Sequence, residues 1–232
     1  MSERLAVYLE SGPRRAFAGA IDWPGWSRSG RSDDEAVATL VAYAGRYAAA
    51  LATASVGSVP SFDDVDVDVV ERLVGSHGTD FGVPSATPSA DARPLPAAEA
   101  TRLVAILRAA WSAFDAAVAM AEGHELRLGP RGGGRDLARM VAHVREAERA
   151  YLNQLGVRTP RIPGADEGVL ADAVRARAGD AVVVIAAGRA LDDANKVTRT
   201  WMPRYHVRRA AWHALDHAWE LEDRRIDRSA RG

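Results

Sequence analysis

The sequence predicts an α+β N-terminal domain followed by an all-α, up-and-down four-helix bundle, and three observations carry that prediction. Short strand-like runs and one capped helix share residues 1–73. Residues 74–96 are rich in Gly, Ser and Pro and show no periodicity, which marks a linker. From residue 97 to 232 the apolar residues recur at helical spacing in four segments of roughly twenty residues each. A chain of 232 residues is long for one compact bundle and comfortable for two small domains.

The elements follow in order. LAVYLE (5–10) and RRAFAGAI (14–21) read as strands joined by Ser11-Gly12-Pro13, a turn-forming set. A helix is predicted from Ser32, where Ser-Asp-Asp-Glu fits a capping box, with serine and glutamate each satisfying a free amide. Val37, Leu40, Val41, Ala44, Tyr47, Ala48 and Leu51 then keep helical spacing. VDVDVV (65–70) alternates as a strand with one wet face, and the helix is expected to pack on the sheet. After the linker, Leu103, Leu107, Ala110, Phe114, Ala117 and Ala121 predict a helix over 97–122, and Leu137, Met140, Val144, Ala147 and Tyr151 a second over 136–155. Val169, Leu170, Val174, Val182 and Ile185 predict a third over 166–190. The fourth begins near Pro203, a residue well tolerated in a first turn, with Val207, Ala211, Ala214, Ala218 and Leu221 as its apolar stripe.

Composition narrows the function classes. Apolar residues make up 47% of the chain, enough for real cores, yet no window approaches eighteen uninterrupted apolar residues. The start, MSERLAVYLES, lacks the basic region, apolar run and cleavage site of a signal peptide, so a cytoplasmic protein with no membrane partner is expected. With no cysteine, disulfides, thiolate ligands and a cysteine nucleophile are excluded. Lys196 is the single lysine among many arginines and alanines, which points to a GC-rich bacterial genome. Residues 1–90 carry 7 basic and 12 acidic side chains, against 23 and 19 in the remainder. The acidic first part argues against phosphate contacts, and the small later excess does not imply a nucleic-acid face.

Three histidines carry the chemistry. His213 and His217 are four residues apart on the fourth helix and so share a face. Taking about 100° per residue, they lie about 60° to 100° to one side of the apolar centre at Ala214, as does His206. His143 on the second helix is offset by about 60° from a face centred on Met140 and Ala147. Boundary side chains of this kind reach a cleft between helices, where bundles build metal sites. A hydrogen-bonded or exposed histidine is the ordinary alternative for each one alone. Three imidazoles with an open fourth position suit a catalytic metal rather than a structural one. His206 lies a turn or more further out.

Residues 97–224 resemble the DinB-like superfamily, which includes thiol-dependent transferases and mycothiol-dependent maleylpyruvate isomerases. That resemblance implies a four-helix bundle holding a divalent metal through one histidine on the second helix and an H-x-x-x-H pair on the fourth. These are His143, His213 and His217 here. His206 falls outside the family pattern. The stretch AGAIDWPGWSRSGRSDDEAVATLVAYAGRY resembles the HicB-like fold over about residues 4–54. Some HicB-like domains partner toxins, but no toxin sequence or DNA-binding tail accompanies this one, so a structural or substrate-covering appendage is expected.

The expected function is a metal-dependent thiol S-transferase or thiol-dependent isomerase acting on a small molecule. Metal-bound water or thiolate would be the reactive species, with a low-molecular-weight thiol as cosubstrate. Zinc suits histidine ligands and low coordination number, while nickel, iron and manganese stay open. Glu146 and Glu220 are candidates to hold the ring orientations, with solvated surface charge as the alternative. Trp212 and Trp219 flank the pair and can wall a pocket or simply pack. The turn GPRGGGR (129–135) precedes a helix N-terminus and supplies Arg131 and Arg135, which can hold a substrate carboxylate. It lacks the Walker Lys-Ser/Thr, and a flexible helix–helix connector is the plainer alternative. Asp63, Asp64, Asp66 and Asp68 lack the glycine and terminal glutamate of a calcium loop and read as a wet strand face. Two other readings stand beside the enzyme: a non-catalytic metal-binding stress or ligand-binding protein, and an antitoxin-like partner. A homodimer is a further expectation.

Overall fold

The computed structural model describes residues 4–52, 54, 56, 66–128, 134–192, 194 and 200–226. Within them the N-terminal part is α+β and the C-terminal part is helical. Strands β1 (Arg4–Ser11), β2 (Ala16–Ala20), β3 (Ser27–Gly30) and β4 (Asp66–Val74) form a sheet in the order β3-β2-β1-β4. β1 pairs antiparallel with β2 and parallel with β4. Between Val7↔Val69 and Tyr8↔Glu71 the register slips by one residue, so Val70 is the extra residue of a bulge, which accounts for its exposure on an edge strand. β4 alternates in burial as its sequence predicts; Val65, Asp63 and Asp64 lie outside the described residues.

The helix expected from Ser32 is divided into α1 (Asp33–Ala42) and α2 (Ala44–Leu51). Ser32 accepts from the Glu35 amide at 3.2 Å, as the capping box requires, but the Glu35 carboxylate reaches the amide of Arg31 rather than that of Ser32. The break falls at Tyr43 because the Leu40 carbonyl, which would accept from residue 44 in a continuous helix, takes the Trp26 indole N–H at 2.8 Å and the Tyr43 amide. Trp26 in turn stacks on Tyr47 at 5.2 Å. Gly30 is required where β3 meets the first turn of α1: a Cβ there would lie 2.4 Å from the Ala36 nitrogen.

Both faces of β1 are covered. Leu5, Val7 and Leu9 join the main core with Leu40, Tyr47 and Leu51, whereas Tyr8 meets Ile21 and Ala90 on the other side. That second cover comes from the segment expected as a linker. It holds a short helix, α3 (His77–Phe81), and a 3-10 turn at Ser89–Ala92. Thr79 and Ser85 hydrogen-bond the fully buried Glu10 carboxylate, and Asp91 pairs with Arg208. Composition without periodicity hides such anchors, because single polar contacts rather than a repeating stripe fix the segment.

The long helices are α4 (Ala97–Ala121), α5 (Leu137–Gln154), α6 (Glu167–Ala186) and α7 (Pro203–Arg224). Asp136 and Asp166 cap α5 and α6, and Pro203 opens α7. α4 packs along α7 and against α6, and α5 packs on α7 and α6. Two-residue strands β5 (Glu125–Leu126) and β6 (Arg225–Ile226) tie the ends of α4 and α7 together. Among the described residues only α4 is long and apolar enough to cross a membrane, and half of its most apolar stretch is already buried within the protein.

One expectation needs correcting. A single apolar stripe was expected on α7, yet 15 of its 22 residues are buried. The sheet part covers the face that a free bundle would expose: at Gly25, in the positive-φ corner of the Trp23–Trp26 turn, a Cβ would meet Ala211 at 2.9 Å and Leu215 at 3.1 Å. Buried side chains therefore run without a gap from the sheet into the long helices.

Candidate metal centre

α5 and α7 bring His143, His213 and His217 together, with one ligand nitrogen from each lying within 4.8 Å of the others. The Nε2 atoms of His143 and His213 are 3.2 Å apart, and the His213 and His217 rings are centred 4.6 Å apart at near right angles. Zinc–imidazole bonds of about 2.0–2.1 Å arranged tetrahedrally put ligand nitrogens roughly 3.4 Å apart, so the spacing fits a small divalent ion. A hydrogen bond between neutral rings would account for the His143–His213 contact alone, but not for the approach of the third ring.

The electrostatics favour neutral rings at His213 and His143. Burial pushes the His213 imidazole well below its ordinary range, and the charges of His217 and Arg209 push the same way. His143 is also lowered, by burial first and then by the charges of Arg135 and His217, with Glu146 and Glu220 opposing. Neutral imidazole is the ligating form, so the lowered values of His213 and His143 hold those two donors ready.

Glu220 accepts from Nδ1 of His217 at 3.1 Å, which leaves Nε2 as the nitrogen of that ring free to ligate. Burial raises the Glu220 carboxyl, but hydrogen bonds and charge from His217 and Arg224 outweigh it and hold the group below its ordinary value. Arg224 locks this carboxylate: Nη1 donates to Glu220 at 2.7 Å, while Nε and Nη2 donate to the carbonyls of Arg127 and Arg135. Glu146, the other carboxylate expected to orient a ring, is exposed and touches His143 only through its charge.

The remaining sequence candidates lie around this cluster or away from it. Arg135 is exposed and its charge is felt at His143 and His213; Arg131 lies outside the described residues. Trp212 is buried edge-on against Phe17 of β2, and its indole N–H meets no acceptor among the described residues. Trp219 packs against Tyr43 and the Arg28 guanidinium. His206 is fully buried away from the triad.

Two side chains that the histidine spacing did not single out border the site. Tyr151, two turns beyond His143 on α5, sets its ring edge-on to His213 at 5.6 Å. Arg209, one turn before His213 on α7, lies over the Tyr151 and Trp212 rings. The same one-turn spacing that links His213 to His217 points back to Arg209, but one arginine on a helix rich in charges of both signs gives no sequence signal of its own. Comparison with protein-family models, with curated proteins and with solved structures finds no match to this chain.

Proposed function

We propose that α4–α7 form an up-and-down four-helix bundle of the DinB-like type and that His143, His213 and His217 bind a divalent metal, zinc for preference, in a thiol S-transferase or thiol-dependent isomerase. The observation that carries this reading is the convergence of three nitrogens from two helices, one of them backed by Glu220. Bound there, the metal would lower the pKa of a water or thiol toward neutrality. The chain's own residues do the rest. Three neutral imidazoles leave the ion its full charge, Glu220 fixes the His217 ring, and Tyr151 and Trp212 form apolar walls. The HicB-like N-terminal part acts as a cover, a role supported by the seating of its Pro-Gly turn on α7.

The test is metal analysis of tag-free protein beside His213→Ala. About one equivalent of metal is expected in the parent and a loss of at least roughly tenfold in affinity in the variant. Transfer of a low-molecular-weight thiol to small electrophiles should require the metal. Stoichiometric metal without turnover on any electrophile would favour a non-catalytic metal-binding protein instead, and a metal-free parent would remove both readings.

A further inference from the structure

The arginines of α7 separate into two kinds. Arg204, Arg208 and Arg224 each grip a carboxylate, from Glu99, Asp91 and Glu220 respectively. Arg209 is half-buried and pairs with no carboxylate among the described residues. Its guanidinium carbon lies 4.7 Å from the Trp212 ring centre and 5.6 Å from that of Tyr151, and Nη1 donates to the Pro84 carbonyl at 3.0 Å. Two aromatic rings and a carbonyl thus hold the planar fork in place without neutralising it.

Its position gives that charge a use. Arg209 is one turn from His213, on the same face of α7, and its charge reaches that imidazole. Arg135 adds a second cation that acts on both His143 and His213 and has no ion-pair partner among the described residues. Among the described residues the carboxylate that hydrogen-bonds the triad, that of Glu220, is occupied by His217 and Arg224. At His213 the charges of Arg209 and Arg135 act in the same direction, whereas at His143 Arg135 is opposed by Glu146 and Glu220. A guanidinium held by two rings and a carbonyl, still partly open to solvent and without a carboxylate among the described residues, keeps N–H groups available to an anion from solution.

We propose that Arg209, assisted by the charge of Arg135, is the binding site for a small carboxylate presented beside the three-histidine centre. The proposal deepens the metal reading by naming the substrate class: a carboxylate-bearing small molecule whose other end faces the imidazoles. A pre-oriented fork takes a carboxylate through two parallel N–H···O bonds, which lysine at the same place would not reproduce. Tyr151 neighbours both Arg209 and His213, so its ring borders the gripped end as well as the imidazoles.

Calorimetric titration with succinate, and with the uncharged succinamide, tests this on the full chain in metal-free and zinc-loaded forms. Succinate should bind the metal-free protein and succinamide should not. Arg209→Gln should weaken succinate binding at least about tenfold while leaving zinc affinity and thermal midpoint near those of the parent, and Arg209→Lys should recover only part of the loss. Equal succinate affinity in parent and R209Q, or no binding of succinate by the folded parent, would overturn the proposal. His213→Ala keeps the two readings apart, because it removes zinc binding without removing the Arg209-dependent binding of succinate to metal-free protein. Parent protein that binds succinate but no zinc would sink the metal centre and leave the carboxylate site standing.

Discussion

The two kinds of histidine on α7 differ in what their ring nitrogens meet. His213 and His217 point into a cluster of donors, and His217 is held by Glu220. His206 is 1% exposed, and neither of its nitrogens finds a hydrogen-bond partner among the described residues. Burial pushes its imidazole down to about 4, against a weak contact with the Tyr151 backbone that falls short of a hydrogen bond. The folded protein therefore refuses a proton that the unfolded chain accepts near pH 6.5. Stability is full above that pH, and it falls as pH drops from about 6.5 toward 4. Replacing His206 with Leu should reduce the loss of stability between pH 7 and pH 4.5 by about 2 kcal/mol, a difference that urea denaturation at the two pH values measures. An unchanged pH slope in H206L would show that this ring does not resist protonation.

At the scale of elements, α7 is the member on which the others converge, and Arg208 is its firmest tie to the sheet part. The guanidinium makes three hydrogen bonds to Asp91 and donates to the carbonyls of Ala20 and Ile21, all in a buried setting. Arg208→Met strands the Asp91 carboxylate and should cost about 3–5 kcal/mol in urea denaturation. The double variant R208M/D91L should recover part of that cost, though the two carbonyls stay unserved. Equal loss in the single and double variants would assign the cost to the carbonyls alone. The spans of the long helices were legible in advance, with α4 and α5 ending within a residue of expectation, because an apolar repeat and a cap are local signals. The break at Tyr43 was not, since it depends on an indole fourteen residues before the carbonyl it takes.

For the molecule as a whole, the continuity of buried side chains from Val7 and Leu40 to Leu107 and Leu215 leaves no dry surface on which the two parts separate. Arg28–Asp216 and Arg46–Glu222 add ion pairs along the same seam. Unfolding should therefore be one cooperative event. Tryptophan fluorescence reports on both sides of the seam through Trp23, Trp26, Trp212 and Trp219, and far-UV circular dichroism reports chiefly on the long helices. Their denaturation curves should superimpose; two separated transitions would show that the sheet part and the helices fold apart.

Periodicity, caps and turn residues were sufficient, unaided, to locate three of the strands, the four long helices and the three histidines, because each of those signals is written within about a helical turn or two of chain. Only the tertiary structure decided that segment 74–96 covers a sheet face, that α7 is enclosed on nearly every side, and that Arg209 stands beside the triad with no carboxylate partner among the described residues. Those facts depend on which surfaces meet across the chain, and the burial of a charge or the fate of a carbonyl is set by neighbours that no local pattern names.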